Sequence, residues 1–372
     1  MANPTRFPSG ISTYKTNQVL NTFPNVPGPG QSSAMTLEMS PYLASQYTVT
    51  ATTATVTAGT GTPGTGFNGG ITSLAVTTAS GGKAALVANG NVATGQFVQF
   101  LPGNQTWVNF QVAHNSTFLT DVTTVARYGL FDAADPTGTV TNGVYLEKVA
   151  AAGGACNLVI KNTGLTGSTV TTTINNILDL ARPSGIYNDT SSTVGTLTTA
   201  GSSNKYTSVV VATAGAGYAQ APLVRALGSS GSSPFAQLYC QVANGSLQAP
   251  YIAHVGGTGY TTFTNEVNHW LDIALYYNGK GTLFVGVNGR LVATVGLGIT
   301  ALAAGGTATS GNSFFTTNAS MTTSIAPVLP APGSFENIMP MVALAPGLGY
   351  ALNTNTTNIM FVDQFQYGTE YN

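Results

Sequence analysis

Charge is the scarcest feature of this sequence. Only 6% of its 372 residues are Asp, Glu, Lys or Arg, whereas about a quarter of the residues in a typical soluble domain are charged. The 11 basic and 12 acidic residues give a net charge of −1, and the basic residues do not cluster. Because binding to nucleic acid depends on clustered cations that release counterions, we expect no nucleic-acid partner.

Long hydrophobic runs are also missing. The longest stretch without strongly polar residues covers 338–352 and is interrupted by Pro340 and Pro346, so it is too short and too broken to cross a bilayer. Near the start of the chain, Pro4 and Pro8 stand where a signal peptide would have its apolar region. We therefore expect no membrane partner and no secretion by that route.

The residue patterns of metal centres and redox sites are absent too. Cys156 and Cys240 are far apart in sequence; a disulfide between them is possible, but two free buried thiols fit a chain that folds in a reducing cytosol. His114, His254 and His269 are isolated, with no HxxxH or CxxC spacing, and we interpret them as structural residues. The sequence predicts no metal ion and no cofactor.

Motifs for catalysis are equally scarce. There is no GxSxG motif, and glycoside hydrolysis requires a pair of carboxylates. Asp132 and Asp135 precede Pro136, where a predicted strand runs into a proline turn, and we expect local turn hydrogen bonds there. Glu147 lies beside Lys148 on a predicted strand, and we interpret it as a solvated charge. Asp272 and Asp363 lack the neighbouring acids of a calcium site. We expect no enzymatic activity.

What the sequence does contain is β-structure. Short runs rich in β-branched and aromatic residues are bounded by Gly, Asn, Asp or Pro, and they lie at 97–101, 107–112, 127–132, 143–148, 157–161, 270–277, 282–287, 290–295 and 358–367. Apolar residues alternate along 270–277, and Asn288-Gly289 is typical of a type I′ hairpin turn. Only 171–181 and 264–270 are compatible with short helices.

Residues 1–40 predict an extended arm, because its prolines interrupt regular structure. Such a segment cannot form a core of its own, so its spaced aromatic residues should dock on another surface; the alternative is a frayed terminus. The residues expected to anchor the arm to a partner are Arg6, Phe7, Tyr14 and Phe23.

A repeated glycine-rich motif interrupts the pattern of predicted strands at about 185–262. The sequence AGAGY at 214–218 is echoed by GGTGY at 256–260. Glycine pairs at tight turns, with a tyrosine packed back on them, suit small β-hairpin modules. We interpret 185–262 as an inserted β module made of two weakly similar units.

Several segments resemble a known family. Residues 269–294 (HWLDIALYYNGKGTLFVGVNGRLVAT) resemble the signature of concanavalin A-like, or laminin G-like, jelly-roll domains, and the segments 128–132, 142–148, 158–162 and 360–368 look like further strands of that fold. The combination is similar to structural proteins of tailed bacteriophages, as is the opening segment 3–12 (NPTRFPSGIS). The glucanases on this fold carry a Glu-x-Asp-x-x-Glu motif, which this sequence lacks.

The sequence therefore predicts an all-β fold: a two-sheet antiparallel jelly-roll at 41–184 and 263–372, with the insertion at 185–262 and the arm at 1–40. The resemblance implies a non-enzymatic virion protein, assembled in the host cytoplasm and located on the capsid surface. Its leading role would be a decoration or cement protein bound to the major capsid protein or other virion proteins. The alternative is a receptor- or glycan-binding module of a phage fibre. Neutral surfaces favour a closed oligomer, and a trimer is expected.

Overall fold

A computed structural model gives the fold of the described part of the chain. The structure describes residues 32–38, 47–52, 54–57, 72–76, 81–88, 98–101, 103–115, 123–149, 155–163, 169–176, 195–216, 218, 221–229, 236–254, 259–279, 282–288, 290–295, 314–316, 339–340, 344–352 and 358–371.

Two antiparallel sheets make up the larger body. The first sheet has the strand order β19 (Phe314–Thr316), β18 (Arg290–Val295), β17 (Leu283–Val287), β16 (Tyr260–Tyr277), β6 (Asn104–Asn115), β21 (Asn358–Tyr371), β4 (Thr72–Val76), β3 (Ala54–Thr57), with β1 (Ser32–Glu38) beside β21 and β13 (Leu223–Ser229) beside β16. The second has the order β10 (Thr169–Asn176), β9 (Ala155–Lys161), β8 (Gly143–Lys148), β7 (Thr124–Phe131), β20 (Ala345–Leu352), β5 (Lys83–Ala88), β2 (Tyr47–Thr52).

Two separate hairpins complete the fold: β11 (Thr196–Ser202) with β12 (Lys205–Thr213), and β14 (Gln237–Ala243) with β15 (Ser246–His254). All secondary-structure elements among the described residues are β-strands. The predicted all-β, two-sheet antiparallel jelly-roll is confirmed.

The main core lies between the two large sheets and follows the period-two pattern of the sequence. On β16, Leu271, Ile273, Leu275 and Tyr277 all point into this core, because successive side chains of a strand face opposite sides. The predicted meander is also confirmed. The strands β17 and β18 are joined by a two-residue connection in which Asn288 has a φ of 51°, as a type I′ turn requires.

Three local predictions from the sequence are wrong. Both candidate helices are strands where they are described: 171–176 belongs to β10 and 264–270 to β16, while 177–181 lie outside the described residues. Their threonine and asparagine content disfavours helix, and cross-strand pairing supplies the backbone hydrogen bonds instead. The predicted strand at 97–101 is reduced to a single bridge between Val98 and Leu344.

The strands also begin earlier in the chain than the arm prediction implied. Residues Ser32–Glu38 form β1 and pair with Gln364–Glu370 of β21. This stretch contains none of the prolines that interrupt the preceding residues, so its backbone can donate hydrogen bonds to a neighbouring strand.

Buried polar groups cross the main core near one end. His114 on β6 is fully buried and shares a hydrogen bond of 2.7 Å between its Nε2 and the hydroxyl of Tyr128 on β7. His269 is its register partner on β16. Lys148 on β8 is also buried, and its Nζ donates to the carbonyl oxygen of Thr124 at 2.9 Å. Burial, the charge of Lys148 and the proximity of His269 lower the pKa of His114 well below its ordinary value of 6.5.

This cluster predicts acid sensitivity. Below pH ~6.5 the unfolded chain binds a proton at His114 that the folded protein does not, so stability falls as the pH drops, by up to about 1.4 kcal/mol per pH unit. Substitution His114→Gln removes the titrating group and keeps an amide within reach of Tyr128. Thermal unfolding between pH 5 and 8 should show a flatter profile for the variant. Identical pH profiles for the variant and the parent would contradict this assignment.

Candidate binding surface

A second hydrophobic core lies outside the jelly-roll. It is formed by buried side chains of the two separate hairpins, of β13, of the first half of β16 and of the connecting segments: Leu197, Tyr206, Val209, Tyr218, Val224, Ala236, Leu238, Cys240, Leu247 and Tyr260. We call this part the hairpin module. The long strand β16 joins the two bodies, because residues 260–268 pair with β13 and residues 268–277 pair with β6.

The hairpin module is internally duplicated. The first unit comprises β11, β12 and β13, and the second comprises β14, β15 and the first half of β16. Thr198 pairs with Val210 in the first hairpin, and Tyr239 pairs with Tyr251 at the equivalent place in the second. Each hairpin has a register shift towards its turn, and each turn has two residues with positive φ: Ser203 and Asn204 in the first, Asn244 and Gly245 in the second.

The repeated Gly-x-Gly-Tyr segments explain how each hairpin is held. The hydroxyl of Tyr218 accepts a hydrogen bond of 2.8 Å from the backbone N–H of Gly195, just before β11. The hydroxyl of Tyr260 accepts one of 2.8 Å from the backbone N–H of Ala236, just before β14. Each tyrosine thus fixes the start of its own unit. A side chain at Gly195 would not fit, since a Cβ there would lie 2.3 Å from Leu247.

These two hydrogen bonds predict a measurable loss of stability. Substitution Tyr218→Phe or Tyr260→Phe keeps the ring but leaves a buried backbone N–H without its acceptor, which costs about 1–3 kcal/mol. Chemical denaturation should therefore show a lower unfolding free energy for each variant. Tyr251→Phe, whose side chain is 49% exposed, is the matched control and should change stability little. Equal stability of all three variants would contradict the proposed role of the two hydroxyls.

The outer face of the module carries exposed aromatic residues. Tyr239 is 46% exposed and Tyr251 is 49% exposed, and Val210 in the other hairpin is 53% exposed. The rings of Tyr239 and Tyr251 stack with centroids 5.5 Å apart and planes inclined by 20°. At that separation the two rings contact each other, and each side chain remains about half exposed to solvent. We call these two residues the tyrosine pair.

The duplicated first unit has no aromatic residues at the positions of the tyrosine pair. In the first unit the two equivalent positions are Thr198 and Val210, which pair in the same register and are also exposed. The aromatic residues of the second unit are therefore candidates for a role in binding.

The surroundings of the tyrosine pair are polar and uncharged. Gln241 and Gln248 are exposed and pair with each other further along the same hairpin. Between residues 190 and 265 the only charged side chains are Lys205 and Arg225. The side chain of Arg225 is 10% exposed and pairs with Glu266 at 3.3 Å.

Two of the carboxylates considered in the sequence, Asp132 and Asp135, lie in the loop between β7 and β8. Asp132 accepts hydrogen bonds from the backbone N–H groups of Thr141 and Asn142 at 3.1 and 2.7 Å. Asp135 accepts one from the N–H of Thr137 and pairs with Lys83. Partial burial raises the pKa of Asp135, but these partners outweigh it and hold the pKa below its ordinary value. The predicted local turn hydrogen bond is confirmed for Asp135, whereas the hydrogen bonds of Asp132 reach across the loop to Thr141 and Asn142.

The structure corrects the interpretation of Glu147 as a solvated charge. The residue is not a solvated charge, because its Oε2 accepts a hydrogen bond of 2.6 Å from Nε of Arg127 and its side chain is only 16% exposed. Its register partner across β7 and β8 is Arg127 itself. Arg127 also donates to the carbonyl oxygens of Pro136 and Gly138. The ion pair of Glu147 and Arg127, together with the hydrogen bonds of Arg127 to Pro136 and Gly138, thus connects the loop between β7 and β8 to these two strands.

The remaining chemically reactive groups form no site within the described ranges. Cys156 lies in the main core and Cys240 in the core of the hairpin module, and both are free. Burial raises the pKa of Cys156 to about 12 and also raises that of Cys240, which suppresses the thiolate. Among the residues that the structure describes, no three His, Cys, Asp or Glu side chains gather where they could hold a metal ion.

Two further features concern partners. The predicted anchoring residues Arg6, Phe7, Tyr14 and Phe23 lie outside the described residues. In the described part of the chain, no helix has the length and apolar character needed to span a membrane.

Comparisons with known proteins give weak structural likenesses. No family model matches the chain, and no curated protein matches it. A structure of botulinum neurotoxin type C, described for its interaction with two ganglioside molecules, aligns with a TM-score of 0.36 and 8% identity over 91% of this chain and 47% of that one. The receptor-binding domain of botulinum neurotoxin D aligns with a TM-score of 0.33 and 9% identity over 86% and 45%.

The carbohydrate esterase of the Shiga toxin-encoding bacteriophage phi24B aligns with a TM-score of 0.31 and 8% identity, over 90% of this chain and 100% of that one. The present chain spans about half the length of the toxin chains that it matches. Similarity at these TM-scores carries no argument about ligand or activity.

Proposed function

We propose that the protein is a non-enzymatic attachment module of a phage virion that binds cell-surface glycans through the tyrosine pair. The observation that carries the proposal is the stacked, half-exposed pair of Tyr239 and Tyr251 at positions where the duplicated unit has Thr198 and Val210. A virion protein that contacts a cell needs a surface feature of this kind, and the fold itself does not.

The chemistry of the tyrosine pair suits a carbohydrate. A pyranose ring has an apolar face of C–H groups and a rim of hydroxyls, and a tyrosine ring offers a flat apolar face with a polar tip. Tyrosine side chains lose little conformational entropy on binding, because they have only two rotatable χ angles. The amides of Gln241 and Gln248, which both donate and accept hydrogen bonds, lie on the same hairpin to meet the hydroxyl rim.

Attachment to the virion is the second part of the proposal, and its support is the sequence resemblance together with the composition of the arm. The protein would decorate the capsid surface through Arg6, Phe7, Tyr14 and Phe23, contacting the major capsid protein or another virion protein. A trimer at quasi-threefold positions would present three tyrosine pairs together. Multivalent presentation raises the effective affinity of a weak glycan site.

Deletion of residues 1–30 tests the attachment. The truncated protein should fold, because β1 begins at Ser32, but it should lose attachment to particles. Each large apolar side chain of the arm contributes about 1.5–3 kcal/mol when buried, before ordering costs. Co-sedimentation with particles that lack the protein measures this. Full occupancy by the truncated form would place the attachment surface elsewhere.

The glycan function is tested by direct binding. The full chain is applied to immobilised oligosaccharides built from glucose, galactose, mannose and N-acetylglucosamine, and also to sialylated and sulfated oligosaccharides. Saturable binding to at least one oligosaccharide, without release of a cleaved product, is the expected result. Absence of binding to all of them, or turnover of a bound sugar, would contradict the proposal.

A further inference from the structure

The turn of the second hairpin consists of an asparagine followed by a glycine, a dipeptide that is chemically labile. The backbone nitrogen of the glycine can attack the side-chain amide carbon of the asparagine, and glycine has no Cβ to hinder that approach. The asparagine of such a pair is described by the structure at four places: Asn142, Asn244, Asn278 and Asn288. The contacts of each side chain decide whether its amide can turn towards the following nitrogen.

Asn288, in the turn between β17 and β18, has its amide held on both sides. Its Oδ1 accepts a hydrogen bond of 2.7 Å from the backbone N–H of Asp272, and its Nδ2 donates one of 3.1 Å to the carbonyl oxygen of Trp270. Both hydrogen bonds must break before the amide carbon can meet the backbone nitrogen of the next residue. Asn288 is therefore protected by its place in the meander.

Asn142 and Asn278 are held in similar ways. Nδ2 of Asn142 donates to Oδ2 of Asp132 at 3.1 Å, and its Oδ1 accepts from the backbone N–H of Thr163 at 2.9 Å. Oδ1 of Asn278 accepts a hydrogen bond of 3.0 Å from the backbone N–H of Thr282. These two amides are protected as well.

Asn244 has the same backbone geometry as Asn288 but none of its restraints. Each is the first residue of a two-residue hairpin connection, and each has a φ of 51°. The side chain of Asn244 is exposed, and among the described residues it has no hydrogen-bond partner. Its amide is therefore free to rotate towards the nitrogen of Gly245, and water has access to the turn.

We infer that Asn244 is a site of spontaneous deamidation, and that the product weakens the docking of the second hairpin on the first unit. The backbone nitrogen of Gly245 forms a bond to Cγ of Asn244, and the bond from Cγ to Nδ2 breaks. The departing amide takes the proton of the glycine N–H and leaves as ammonia. Water then opens the resulting succinimide ring. Cleavage at Cγ gives aspartate, and cleavage at the main-chain carbonyl carbon gives isoaspartate; no oxidant or reductant takes part.

The turn at Asn244 is where the two units of the hairpin module meet. The backbone N–H of Tyr218 donates to the carbonyl oxygen of Gly245, and the backbone N–H of Leu247 donates to the carbonyl oxygen of Ala214, both at 2.9 Å. Isoaspartate inserts the Cβ of its own residue into the main chain, directly before these contacts. The displaced turn cannot keep both hydrogen bonds in their present geometry.

Peptide mapping of aged protein tests the site. The full chain is incubated at mildly alkaline pH, digested and analysed by mass spectrometry, and an unaged sample corrects for conversion during digestion. Asn244 should react at least about tenfold faster than Asn288, because two hydrogen bonds must break before the Asn288 amide can turn. The same incubation in denaturant should bring the four rates to a similar value. Conversion of Asn244 no faster than that of Asn288 in the folded protein would overturn the inference.

Substitution Asn244→Gly tests the effect on docking. Glycine keeps the positive φ of the turn and has no amide to lose, so the fresh variant should unfold at a temperature close to that of the fresh parent. Ageing should lower the unfolding temperature of the parent more than that of the variant. Equal shifts on ageing, in parent protein whose peptide map shows isoaspartate at Asn244, would overturn the inferred effect on docking.

Discussion

Replacing Tyr239 with Thr and Tyr251 with Val should weaken oligosaccharide binding by about a hundredfold or more and leave the protein folded. Each ring supplies a stacking face worth roughly 1.4 kcal/mol, which is a factor of about ten in Kd, and the double substitution removes both. The substituted residues are those that the first unit carries in the same register. The hairpin therefore accommodates them without loss of backbone pairing.

The matched control for this experiment lies in the first unit. Exchanging Thr198 for Val and Val210 for Thr alters an equally exposed pair of positions and should leave binding unchanged. Isothermal calorimetry measures the affinities, and thermal unfolding confirms that both variants are folded. Parental affinity in the Tyr239→Thr, Tyr251→Val variant would show that glycans bind elsewhere or not at all.

Placing tyrosines at Thr198 and Val210 should create a second binding site. Both positions are exposed and directly paired, so the new rings meet as the rings of the tyrosine pair do. The stoichiometry for a monovalent oligosaccharide should rise from one to two per chain. Retention on a glycan-coated surface should increase by about 10²-fold or more, because the second binding event becomes intramolecular.

A transfer variant controls for the gain. Combining the two new tyrosines with Tyr239→Thr and Tyr251→Val moves the site from the second unit to the first and should restore a stoichiometry of one. A folded protein with two tyrosine pairs that still binds one ligand would contradict the view that the paired rings suffice. In that case the flanking residues Gln241 and Gln248 would carry the recognition.

Much of the fold could be predicted from the sequence because two local signals are strong in β-structure. Period-two alternation along 270–277 fixed which side chains enter the core, and Asn288-Gly289 marked the hairpin between β17 and β18. The candidate helix at 264–270 could not be resolved locally. Its strand conformation depends on pairing with β13, which is distant in sequence.

The candidate site was harder to predict for a different physical reason. The Gly-x-Gly-Tyr echo revealed the duplication. Tyr239 lies between Leu238 and Cys240, so an alternating strand would have placed it outside. Its stacking on Tyr251 depends on the register of the hairpin, which a register shift near the turn alters by one residue. The pairing of Glu147 with Arg127 likewise depends on the register of β7 and β8.

The most direct test follows the tyrosine rings themselves. The protein is labelled with carbon-13 on its 16 tyrosines, the ring signals of Tyr239 and Tyr251 are assigned by substitution, and a neutral oligosaccharide that binds is titrated in. The account predicts saturable shifts of these two ring signals, while the buried rings of Tyr206, Tyr218 and Tyr260 stay unchanged. Saturable binding with no change at Tyr239 and Tyr251 would contradict it.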